Sequence, residues 1–67
     1  MDAAAKGQRY ARLFRKVGTL LGKGNIARAI AVLKEGQQLA QSLGDSAMAR
    51  RFGDEIARLY KQNPPSD

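Results

Sequence analysis

The chain has 67 residues, with 12 Lys and Arg against 6 Asp and Glu, so it forms one domain and carries a net charge of +6. It has neither Cys nor His, which removes disulfides, thiolate metal sites and the usual general base and metal ligand. No apolar run approaches the roughly 20 residues of a membrane span, and Met1 to Gln8 has no signal-like hydrophobic stretch, so the expectation is a cytoplasmic protein without cofactor or membrane contact.

The first predicted helix runs from about Gln8 to Gly22. Tyr10, Leu13, Phe14, Val17, Leu20 and Leu21 recur at the spacing of one buried stripe, and Arg9, Arg12, Lys16 and Lys23 fall on the other side. An extension of this helix back through residues 2–7 is left open, with Gly7 weighing against it. Gly22-Lys23-Gly24-Asn25 reads as a turn, with Gly for the left-handed cap and Asn25 as the next N-cap.

The second helix spans about 26–42 and has two apolar lines. Ile26, Ile30, Leu33, Gln37 and Ala40 form one, with Gln37 its single polar member, and Val32, Leu39 and Leu43 form the other. Two faces imply a helix held between two neighbours. After Leu43-Gly44-Asp45-Ser46, a second Gly-and-cap turn, the third helix spans about 46–62 with Met48, Phe52, Ile56, Leu59 and Tyr60 inward. Asp54 and Arg58 stand four apart in the favourable order for a pair. Asn63-Pro64-Pro65-Ser66-Asp67 is a helix stop and flexible tail. No segment alternates with period two, so an all-α three-helix array is expected, with Phe14, Val17, Leu21, Ile30, Leu33, Phe52 and Ile56 as its core.

The chain also repeats itself. Leu13-Phe14-Arg15-Lys16-Val17-Gly18 matches Met48-Ala49-Arg50-Arg51-Phe52-Gly53, 35 positions later, and Leu21 and Lys23 match Ile56 and Arg58. A period in the mid-thirties with two helices per period is the mark of a helical-hairpin solenoid. On the residues Phe14, Val17-Gly18 and Leu21, their copies Ala49, Phe52-Gly53 and Ile56, and Gly24 ahead of the second helix with Ile26, Ala29, Leu33 and Gly36 within it, the sequence resembles the tetratricopeptide repeat family. It departs from the family pattern in a hairpin shorter by one residue and in Gly44-Asp45 where a closing proline is common. The resemblance covers about residues 10–62, one and a half repeats. It implies a helical hairpin plus a third helix, with small residues where helices cross, the first and third helices equivalent and parallel, and a groove along them that holds partner peptides. Arg12, Arg15, Thr19 and Lys23 would line that groove from the first helix, and Ala47, Arg50, Asp54 and Arg58 from the third.

Functional candidates reduce to the charges. Residues 1–24 hold six cations and Asp2, whereas residues 45–67 hold four charges of each sign. Asp54-Glu55 is the only adjacent acidic pair, and neighbours on a helix diverge, so catalysis is not expected. Gly18 and Gly53, each unfavourable inside a helix, suggest a neighbouring helix close by at both places. Arg12, Arg15, Lys23, Arg50 and Arg58 are the candidate partner-binding residues, for an acidic peptide or protein. A nucleic-acid binder is the alternative on net charge, with contacts led by phosphate. So small a domain without staples is further expected to self-associate, most simply as a homodimer.

Overall fold

The structure, a computed structural model, describes residues 3–63. It has three helices, α1 (Ala3–Gly22), α2 (Ile26–Ser42) and α3 (Ser46–Gln62), and no strand among the described residues. Asn63 closes α3, its backbone N–H and its side-chain amide both donating to the Leu59 carbonyl. The rest of the expected tail, 64–67, lies outside the described residues.

The two turns are built alike. Gly24 and Gly44 take φ of +74° and +70°, the left-handed conformation that side chains disfavour. At the first turn, Asn25 N–H donates to the Leu20 carbonyl (2.9 Å) and Gly24 N–H to Leu21 (3.0 Å). At the second, Asp45 N–H donates to Ala40 (2.8 Å) and Gly44 N–H to Gln41 (3.1 Å). Both are the paired bonds of a Schellman cap. The residue that completes each cap also begins the next helix, because Asn25 Oδ1 accepts from Arg28 N–H and Asp45 Oδ1 from Met48 N–H. Each reversal therefore needs only three residues, and α2 packs against both α1 and α3.

The first helix begins five residues earlier than its periodicity predicts, and Gly7 does not interrupt it. Two facts offset the cost of that glycine: Ala3, Ala4 and Ala5 favour helix, and Lys6 Nζ lies 3.2 Å from Asp45 Oδ2, which ties the first turns of α1 to the start of α3.

Tyr10, Val17, Ala29, Ile30, Val32, Leu33, Ala40, Phe52 and Leu59 form the buried core. Phe14, Leu21 and Ile56, expected inside, are only partly covered and pack against its edge. Two apolar residues lie further out than expected. Leu43 caps α2 and is 38% exposed, and Tyr60, one position past the inward-facing Leu59, is 43% exposed. The expected pair of Asp54 with Arg58 is replaced by Glu55, whose Oε2 accepts from Arg58 Nη2 at 2.6 Å.

Phe52 organises the packing. Phe14 stacks on it with ring centroids 4.7 Å apart and planes 2° from parallel, and Tyr10 meets it edge-on at 5.8 Å. Its ring lies on the bare backbone of Gly36, where a methyl group would meet Phe52 Cδ1 at 2.8 Å and Cε1 and Cζ closer still.

Residues matched by the sequence repeat share the same degree of burial at Leu13 and Met48, Phe14 and Ala49, Arg15 and Arg50, Val17 and Phe52, Leu21 and Ile56, and Lys23 and Arg58. The two glycines differ. Gly53 faces Gln37 of α2, whose Nε2 would stand 2.8 Å from an added methyl and donates to the Ala49 carbonyl. Gly18 has nothing within 4 Å of that position, so the close approach expected there is absent. The corresponding side of α1 carries no helix among the described residues. Gly18→Ala should therefore stabilise the domain by about 1 kcal/mol, through helix propensity and a less flexible unfolded chain. A thermal melt should rise by about 4–8 °C; a fall would mean that the site is packed.

Candidate functional site

All five candidate cations are exposed. The α1 stripe that buries Tyr10 and Val17 turns Arg12 and Arg15 outward, and the Arg15 carbonyl accepts from Thr19 Oγ1 at 3.1 Å. Arg12 borders a shallow cleft between α1 and α2 with Arg9, Leu13, Glu35 and Leu39. Lys23 stands in the first turn, where its backbone N–H closes α1 on the Thr19 and Leu20 carbonyls. Arg50 lies on the outer face of the first half of α3.

Arg58 differs from the other four. Glu55 holds its guanidinium through Nε (3.2 Å) and Nη2, and Gln62 accepts from Nη1 at 3.5 Å. The hydrogen bond and the charge of Glu55 together raise its pKa. Arg12, Arg15, Lys23 and Arg50 make no ion pair with any described residue.

The helices carrying these cations meet through long side chains. No Cα of α1 comes within 8 Å of one in α3, and Tyr10 and Phe14 reach Phe52 across the gap. Arg51 adds a cation there, its guanidinium 4.9 Å above the Phe14 ring. The sequence repeat pairs Arg51 with Lys16 but says nothing of this contact. The available signal was weak: Arg51 stands one position before the buried Phe52, on the flank of the stripe.

At one end of the gap, Asp45 Oδ2 accepts from the Tyr10 hydroxyl at 3.1 Å and pairs with Lys6. The backbone N–H of Met48 is the main influence lowering the Asp45 pKa, helped by Lys6 and Tyr10 against the effect of burial. The Tyr10 phenol is shifted up, chiefly by burial and then by Asp45. These groups satisfy one another and hold α1 to α3. The described residues hold no cluster of His, Cys, Asp or Glu suited to a metal ion, and no described helix is long and apolar enough to cross a membrane. The chemistry offered by the outer faces of α1 and α3 is thus attraction of anionic groups by exposed guanidinium and ammonium ions.

Comparisons with protein-family models, curated proteins and solved structures give no match.

Proposed function

We propose that this chain is a non-enzymatic protein-interaction module of tetratricopeptide-like form whose basic face receives an acidic segment of a partner protein. The observation that supports this reading most is the set of four exposed cations, Arg12, Arg15, Lys23 and Arg50, that make no ion pair among the described residues, while Asp45 and Glu55 are engaged within the fold. Arg presents a planar fork of donors that suits carboxylates, and a cationic face on a rigid helical frame steers acidic partners toward it. Arg51, which lies over the Phe14 ring, and Phe14 itself are the sequence neighbours of Arg50 and Arg15.

The test reverses charge at Arg15 and Arg50 together (R15E/R50E). Both side chains are exposed, so the melt should stay unchanged while affinity for captured partners falls by about tenfold or more. Partners retained in full by the double variant would reduce these cations to solubilising groups. Loss of binding to random duplex DNA with a steep salt slope, in place of protein partners, would favour the nucleic-acid reading, which rests on the +6 charge.

A further inference from the structure

A second surface lies on the α2–α3 seam. Ile26, Ala27, Ile30 and Ala31 of α2 floor an open cleft of about 370 Å³, closed on its α3 side by Tyr60. Lys34 spans it, its Nζ 3.3 Å from the Tyr60 hydroxyl and 5.7 Å from the centre of that ring. The floor is apolar, and Ala27 and Ala31 are one turn apart and exposed, so a helix backbone can approach closely. Tyr60 leaves 43% of its surface in water although its ring is mostly apolar, which suits a residue that gains cover on binding. Asn63 completes the lining, which among the described residues contains no acid and has the Lys34 ammonium as its one charge.

We infer that this cleft docks an acidic amphipathic helix of a partner protein, apolar side chains at i, i+3 or i+4 and i+7 entering between Ile30 and Tyr60 and a carboxylate meeting Lys34. Charge decides between the occupants. A second copy would bring +6 against +6 and a second Lys34 to a lining that has no carboxylate among the described residues, whereas an acidic helix supplies an anion for Lys34. The mode is helix-in-groove recognition. It stands apart from the basic face, because none of Arg12, Arg15, Lys23, Arg50 and Arg58 lines the cleft.

The experiment uses a designed helical peptide of about five turns with Leu along one stripe and Glu on its flanks, and a scrambled peptide of identical composition. Fluorescence anisotropy at physiological salt measures both against the wild-type chain, Ala31→Glu and R15E/R50E. Ala31 is exposed and Glu is a good helix former, so Ala31→Glu keeps the fold, checked by its melt, while placing an acid on the cleft floor. The inference expects the patterned peptide to bind wild type and R15E/R50E alike, with Ala31→Glu weakening it by about tenfold or more and the scrambled peptide binding poorly. Equal binding to wild type and Ala31→Glu overturns it, as does loss confined to R15E/R50E. A dimer in sedimentation that Ala31→Glu splits and the peptide cannot displace would assign the cleft to a second copy and likewise overturn it.

Discussion

Phe52→Ala should lower the unfolding free energy by about 3–5 kcal/mol. The ring is completely buried, stacks on Phe14, meets Tyr10 edge-on and lies on Gly36, so it is the contact through which all three helices touch. Its removal loses the transfer energy of the ring and leaves a cavity between rigid neighbours that cannot close. The aromatic pairs add about 0.5–1.5 kcal/mol each beyond buried area. Because no backbone of α1 approaches α3, the link between them would then rest mainly on the Lys6–Asp45–Tyr10 contacts at the helix starts. In a domain this small such a loss is a large share of total stability. Chemical denaturation followed by circular dichroism reads it; a midpoint close to wild type would mean that the ring is not central.

Gly36→Ala should destabilise as well, although Ala is the better helix former by about 1 kcal/mol. The added methyl would overlap the Phe52 ring, and that ring cannot retreat, since Phe14 is stacked on it and Tyr10 stands at its edge. Overpacking of this kind costs about 1–3 kcal/mol, here toward the upper end because several ring atoms are involved, so the net loss should be about 2 kcal/mol. The sign is the informative part. The same substitution at Gly18 should stabilise, since nothing packs there. A melt that rises for both variants would place α3 further from α2 than described.

These glycines show how far the amino-acid sequence reveals the fold. Three helices, their boundaries at 26–42 and 46–62 and both turns follow from apolar spacing and from Gly paired with Asn25 or Asp45, because caps and stripes are local signals. The start of α1 does not, since the Lys6–Asp45 tie that helps carry it past Gly7 links residues far apart in the chain. Gly18 and Gly53 look identical in the repeat but differ in their neighbours: α2 covers one, and no helix among the described residues covers the other. Tyr60 fits a helical stripe loosely: it stands one position past the buried Leu59 and faces outward, where Lys34 meets its hydroxyl.

The candidate cations were legible as exposed residues, because the stripe that buries Tyr10, Val17, Phe52 and Leu59 leaves them no other side. Which of them are already held was not legible. Arg58 has an acid three positions before it and another four before it, and side-chain geometry rather than spacing selects Glu55. Arg51, which the sequence shows only as the repeat's match to Lys16, lies over Phe14 because the wide gap between α1 and α3 lets both side chains meet there.

The binding claim is tested most directly by titrating the 15N-labelled protein with an acidic, Glu-rich peptide and following each backbone amide by NMR. The proposed function predicts shifts concentrated at Arg12, Arg15, Thr19 and Lys23 of α1 and the first turn, and at Ala47 and Arg50 of α3, fading as salt rises because the contact is between charges. Shifts scattered over all three helices, or none while random DNA moves the same amides, would contradict it.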